Sequence, residues 1–81
     1  MLITPAQSRA ARALVGWTQP TLATSAGLGL STVVDFEKER RAVSGAAIEA
    51  MAAALAEAGV IFIDENGEGP GVRLRKDRAG S

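Results

Sequence analysis

The sequence contains no cysteine and no histidine. Their absence excludes disulfide bonds and removes the usual side-chain ligands of zinc and other transition metals. It also removes the most common general base and the best side-chain nucleophile, so the sequence favours a protein without a catalytic site, a metal or a cofactor. The absence of cysteine fits a cytoplasmic location.

Long apolar runs are missing as well. No stretch approaches the roughly 18 residues that a bilayer-spanning helix needs. The N-terminal MLITPAQSRAAR lacks the charged and then apolar layout of a signal peptide. We therefore expect neither insertion into a membrane nor export.

A surplus of basic residues, which would be direct evidence for nucleic-acid binding, is also lacking, because nine Lys and Arg balance nine Asp and Glu. Any such function must be argued from pattern. At 81 residues the chain has room for one domain. Domains near this size bury only about 60–65% of their unfolded surface, so we expect self-association to add stability.

What the sequence does contain is a series of helix signals. Thr4 with Gln7 forms a capping box, Pro5 suits the first helical position, and the first helix should run to about Val15 before Gly16. A second, short helix is expected between Thr18 as its cap and Gly27.

The third helix is predicted from about 30 to 38, where Val33, Phe36 and Glu37 have helical spacing. Its β-branched residues leave a strand as the alternative. A fourth helix should follow the cap Ser44 and run to about Ala58. It has the most regular apolar stripe, formed by Ile48, Met51, Ala52 and Leu55.

After residue 59 the pattern changes to that of strands. Residues 60–63 are β-type, 64–71 are rich in turn formers, and 72–75 alternate apolar and basic side chains, which predicts a β-hairpin. We expect a helical domain over 1–59, a hairpin over 60–75 and a flexible tail over 76–81.

Residues 16–37, GWTQPTLATSAGLGLSTVVDFE, place two short helices around a turn that contains glycine, the layout of the DNA-binding helix-turn-helix. The segment closely resembles the Xre-type family, which includes phage lambda-like repressors and Cro proteins. The resemblance covers roughly residues 4–58. It implies a mainly α, lambda-repressor-like domain of four helices, with the C-terminal β-hairpin outside the common core. The matching residues are Gly16, Thr18, Gln19, Leu22, Ala23, Ala26, Gly27, Leu28, Ser31, Thr32, Val33, Phe36 and Glu37.

The resemblance implies that helix 30–38 enters the major groove of double-stranded DNA. It assigns base-facing positions to Leu30, Ser31 and Asp35, with Val34 nearby. Leu30 and Asp35 depart from the family pattern, in which many relatives begin this helix with a long polar residue. An apolar side chain can contact a thymine methyl group, and an aspartate can accept a hydrogen bond from cytosine N4.

The resemblance also implies contacts to the DNA backbone. Gln19 lies at the start of the second helix, where a phosphate is favoured. Further contacts are expected from the hydroxyl groups of Thr18 and Thr32 and from the basic group Lys38, Arg40 and Arg41. In the family an arginine on the first helix commonly pairs with a glutamate that ends the third, and these positions are Arg12 and Glu37.

A lone two-stranded hairpin is marginally stable in water, so its apolar side chains need cover. Two hairpins could join across a two-fold axis, or the hairpin could fold back on the fourth helix of its own chain. The first arrangement would give a homodimer suited to a two-fold operator. Its predicted contact residues are Val60, Phe62, Val72 and Leu74.

Together these features predict a sequence-specific DNA-binding transcriptional regulator, most simply a repressor or autoregulator. We expect it in the cytoplasm of a bacterium, or encoded by a phage or mobile element, in association with the nucleoid. The alternative is a protein-interaction module, such as an antitoxin-like or anti-activator protein, that uses the same fold to bind another regulatory protein. The zero net charge and the apolar, acidic third helix keep this alternative open.

Overall fold

The computed structural model describes residues 2–76, which form four helices followed by a two-stranded antiparallel sheet. The predicted mainly α fold with a C-terminal hairpin is confirmed. Of the predicted tail 76–81, only Lys76 lies within the described residues. No helix within 2–76 is long and apolar enough to cross a bilayer. The elements are α1 (Pro5–Val15), α2 (Gln19–Ala26), α3 (Leu30–Glu37), α4 (Gly45–Glu57), β1 (Val60–Ile63) and β2 (Gly71–Leu74).

Hydroxyl side chains fix where α1, α2 and α4 begin. Thr4 Oγ1 accepts the backbone N–H of Gln7 at 3.0 Å, and Gln7 Oε1 accepts that of Thr4 at 2.9 Å, which completes the capping box. Thr18 and Ser44 likewise accept the N–H of the residue three positions later. Each of these bonds satisfies a donor that the helix itself leaves unpaired.

Two glycines end α1 and α2. Gly16 and Gly27 have φ values of 70° and 71°, in the left-handed region that L side chains rarely adopt. The chain can therefore reverse within two or three residues and begin the next helix. The close succession of α1, α2 and α3 follows from these local signals.

The core lies between the helices and the inner face of the hairpin. On α4 the buried stripe is the expected one, with Ile48 at its margin. On α1, Leu14 is 40% exposed, whereas the polar residues Gln7 and Ser8 are buried. Polar contacts of these two side chains set the orientation of α1. The core residues are Ile3, Ala11, Leu22, Ala23, Val33, Phe36, Met51, Ala52, Leu55 and Val60.

The hairpin folds back on its own chain, against α1 and α4. Val60 pairs with Leu74 and Phe62 with Val72 across the two strands. Val60 is buried, and the other three side chains pack against the core. Because side chains alternate along a strand, all four lie on the inner face. Of the side chains predicted to meet a second hairpin, Val60 is buried and the other three are partly buried within the chain.

Gln7 attaches the hairpin to α1. Its Nε2 donates to the carbonyl oxygens of Ile63 at 3.1 Å and Gly71 at 2.9 Å, while its Oε1 completes the cap of α1. One buried amide therefore connects the start of α1 to the ends of both strands that adjoin the turn.

We expect Gln7→Glu to destabilise the chain. A carboxylate preserves the capping box and suits a helix N-terminus, but it has no N–H for the two carbonyl oxygens and places a negative charge beside them. The free energy of unfolding should fall by about 1–3 kcal/mol. Urea unfolding at pH 7, followed by the fluorescence of Trp17, the only tryptophan, measures it.

Ala6→Glu is the matched control, because Ala6 is exposed in the same helical turn and away from the hairpin bonds. This variant should be as stable as the parent or slightly more stable. Equal stability of the Gln7→Glu and Ala6→Glu variants would mean that Gln7 does not hold the hairpin.

Candidate nucleic-acid interface

A buried carboxylate joins α1, α2 and α3. The side chain of Glu37, at the end of α3, is 0% exposed. Arg12 Nη2 donates to Oε1 of Glu37 at 2.7 Å, and Arg12 Nε donates to Oε2 at 2.9 Å. Ser8 Oγ donates to Oε2 at 2.5 Å and Gln19 Nε2 to Oε1 at 3.0 Å. We call these four residues the Glu37 cluster.

Backbone contacts extend the Glu37 cluster. The guanidinium of Arg9 donates to the carbonyl oxygen of Glu37, and Arg12 Nη1 donates to that of Trp17 at 3.2 Å. Arg12 therefore contacts both the end of α3 and the turn that precedes α2. Among the described residues, no buried side-chain nitrogen or oxygen lacks a hydrogen-bond partner. The cluster adds polar contacts to the apolar packing that holds α2 and α3 relative to each other.

The charge state of Glu37 follows from these contacts. Burial by itself raises the pKa of Glu37, but hydrogen bonds from Arg12, Ser8 and Gln19, with the charge of Arg12, outweigh it and hold the pKa below 4.5. The carboxylate is therefore ionised at neutral pH. Because the pKa is lower in the folded chain, Glu37 stabilises the fold above its unfolded-state pKa, and this contribution is lost as the pH falls through the folded-state value.

Two residues expected to contact phosphates have structural partners in the free protein. The amide of Gln19 donates to Glu37, and the hydroxyl of Thr18 accepts the N–H of Thr21 at 3.2 Å. An amide nitrogen carries two hydrogens, so Gln19 retains a second donor beyond its bond to Glu37. Gln19 can thus connect the cluster to a ligand at the start of α2.

The outer face of α3 carries the side chains expected to face bases. Val33 and Phe36 turn inward to the core, whereas Leu30 is 47% exposed and Ser31 is also exposed. Thr32, Val34 and Asp35 are partly exposed. The N-terminal half of α3 therefore presents a surface that the other residues within 2–76 do not cover.

The segment after α3 places two basic side chains close to the carboxylate of Asp35. Lys38, Arg40 and Arg41 are exposed, as expected of backbone-contacting residues. Arg41 Nε donates to Asp35 Oδ2 at 2.8 Å, and Arg40 Nη1 lies 4.0 Å from Asp35 Oδ1. The aspartate of α3 is thus an ion-pair partner as well as a candidate base contact, which the sequence did not indicate.

Comparison with known proteins gives one family. A family model described as helix-turn-helix matches residues 9–58, more than half of the chain. The match runs from within α1 to the end of α4 and leaves the hairpin outside. A search of curated proteins found no match to this chain.

We expect Glu37→Gln to lower stability at pH 7, because Arg12 would keep its charge without a partner. Breaking one side of a buried ion pair costs about 3–5 kcal/mol, and the lower end applies here since Arg12 retains some solvent contact. The parent should lose stability as the pH falls below about 4.5, and the variant should lose less over that interval.

Urea unfolding between pH 7 and pH 3, followed by Trp17 fluorescence, tests both effects. Glu68→Gln, which removes an exposed carboxylate from the loop between the strands, is the control and should change stability by less than about 0.5 kcal/mol. A Glu37→Gln variant as stable as the parent at pH 7 would show that the carboxylate is not needed to hold the three helices.

Proposed function

We propose a role for this chain, which belongs to the helix-turn-helix family of Xre- and lambda-repressor-like DNA-binding regulators. It is a transcriptional repressor or autoregulator that binds a two-fold operator as a homodimer. Its site of action would be the nucleoid of a bacterium, or phage or mobile-element DNA. The observation that carries the proposal is the orientation of α3. Its inner face packs into the core, and the outer face of its N-terminal half is exposed. This is the end of the helix that contacts base edges in the motif.

On this proposal α3 contacts bases with four side chains. Ser31 can donate to or accept from any base edge, and Leu30 and Val34 can pack against thymine methyl groups. Asp35 lies one helical turn after Ser31 and so shares its face. Thr32, partly exposed beside them, adds a hydroxyl at the edge of this surface.

Backbone contacts would flank α3 on two sides. Thr18 and Gln19 lie at the N-terminus of α2, where backbone amides favour a phosphate. Lys38, Arg40 and Arg41 follow the C-terminus of α3. One chain with so few cations makes few phosphate contacts, so high affinity would need two linked copies, which make the second contact effectively intramolecular.

A protein partner on the same face is the second candidate. The observation in its favour is the exposure of Leu30, an apolar side chain at the start of α3 on the proposed DNA-contacting surface. A mobility-shift assay with the DNA upstream of its own gene, together with selection from randomised duplexes, separates the two. Failure to retain any duplex at low salt would favour the protein partner.

We expect Lys38→Ala to weaken binding to all duplexes alike. Each phosphate contact that is lost should reduce the slope of log affinity against log salt by about one unit. Fluorescence anisotropy with selected and unrelated duplexes over a salt series measures both quantities. Lys76→Ala removes the same charge at an exposed position after β2 and should change neither. Equal effects of the two variants would indicate a general charge effect instead of a contact at Lys38.

We expect the homodimer to use the outer face of the hairpin, because the inner face packs against the core of its own chain. Ile61 and Ile63 alternate with the inward residues of β1 and lie outside the core. A two-stranded sheet also offers open edges to a second copy. Half-sites would then be separated by about 10 bp or a multiple of it.

Ile61→Lys should yield monomers that keep the fold and lose specific binding, as measured by sedimentation and anisotropy. Ala53→Lys, in the open groove between Trp17 and α4, is the matched control and should remain dimeric. A monomeric Ala53→Lys variant together with a dimeric Ile61→Lys variant would place the interface on α4. A parent chain that is monomeric both free and on its selected duplex would contradict the homodimer.

A further inference from the structure

Asp35 and Arg41 form an ion pair beside the outer face of α3. Arg41 Nε donates to Asp35 Oδ2 at 2.8 Å, and Arg40 approaches the other carboxylate oxygen at 4.0 Å. The side chain of Arg41 is 52% exposed and that of Asp35 21% exposed. The pair is therefore accessible to a ligand on this face while its two members contact each other.

The backbone returns Arg41 to α3. Glu39 has a φ of 56°, the only positive value at a described residue other than glycine. The N–H of Glu39 donates to the carbonyl of Phe36 at 3.1 Å, and that of Arg40 donates to the carbonyl of Asp35 at 2.9 Å. These two bonds form a Schellman motif, which reverses the chain directly after the helix. The basic segment consequently lies against the last turn of α3.

The ion pair leaves one edge of the guanidinium available. The Nε edge of Arg41 is occupied by Asp35, and the contact of Nη1 with the carbonyl of Ala42, at 3.4 Å, is long for a hydrogen bond. The edge formed by Nη1 and Nη2 can therefore donate two hydrogen bonds to a ligand that has two acceptors side by side. On DNA these are O6 and N7 of guanine, or two oxygens of a phosphate.

The negative charge of Asp35 favours a base over a phosphate as the ligand of Arg41. A carboxylate beside Arg41 offsets the attraction of the arginine for a phosphate and is itself repelled by one. The same carboxylate fixes the plane of the guanidinium, and a bidentate contact depends on that orientation. A pair without net charge adds little to backbone binding but can add selectivity.

We propose that Arg41 contacts a guanine in the major groove and that Asp35 is the positioning residue that orients it. This gives Arg41 a different ligand from Lys38 and Arg40, which are expected to contact phosphates. The inference rests on the proposed function, since it requires α3 to lie in the major groove.

Selection from randomised duplexes with the full chain, followed by anisotropy on the selected site, tests the pair. The parent should prefer guanine at one position of each half-site. Arg41→Lys keeps the charge and loses the bidentate edge, so it should reduce that preference about tenfold without changing the salt slope. Asp35→Asn should weaken the preference at the same base pair and raise affinity for unrelated duplexes a few-fold. Arg75→Lys makes the same exchange at an exposed position after β2, outside the proposed DNA-contacting surface, and is the control that should leave base preference unchanged.

Several outcomes would overturn the proposal. An Arg41→Ala variant that binds all duplexes more weakly, with a salt slope lower by about one unit, would make Arg41 a phosphate contact. Changes at different base pairs in the Asp35→Asn and Arg41→Lys variants would mean that the two residues act separately. A parent chain that binds no duplex overturns the proposed function too, whereas one that binds a defined site with no dependence on Arg41 overturns this inference alone.

A measurement without DNA tests the positioning directly. In the NMR spectrum of the free chain, the Nε–H of Arg41 should be ordered and slow to exchange with water, and Asp35→Asn should remove both properties. An Arg41 Nε–H that exchanges equally fast in the parent and in Asp35→Asn would contradict the role of Asp35.

Discussion

The placement of α1, α2 and α3 depends on the buried carboxylate of Glu37. A charge without water is very unfavourable unless donors surround it, and here they come from α1 through Arg12 and Ser8 and from α2 through Gln19. A shift of any one of these helices would leave part of the charge unpaired. The angle between α2 and α3 is therefore set by electrostatics together with apolar packing, and in the function that we propose the fit of α3 to the groove depends on that angle.

The two acidic residues of α3 have opposite surroundings. Glu37 is buried and shared among several donors, so its substitution affects the whole helical unit. Asp35 is partly exposed, and its partners belong to the segment that follows the helix. If α3 contacts bases as we propose, changes at Asp35 should alter what it recognises without altering how the helix is held. This separation lets the outer face vary while the inner face keeps its geometry.

Local chemistry explains why much of the fold was predictable. The capping box of Thr4 and Gln7 and the glycines at 16 and 27 act within a few residues, so they are visible as sequence patterns. The resemblance to the family implied the pairing of Arg12 with Glu37. The bonds from Gln7 to the hairpin join residues 56 and 64 positions apart, and no local pattern records them. The turn at Glu39 was missed because glycine is the residue that usually marks a left-handed helix end.

The position of the hairpin bears on how the proposed regulator could work. If Val60, Phe62, Val72 and Leu74 formed the core of a dimer, each chain would expose them until it met a partner, and folding would require association. In the structure Val60 is buried and the other three pack, partly buried, against the core of the same chain, so the helical unit and its hairpin can close without a second copy. In the homodimer that we propose, association is then a separate equilibrium that depends on chain concentration. Occupancy of a two-fold operator would rise more steeply than the amount of protein, which would let the proposed regulator respond to its own abundance.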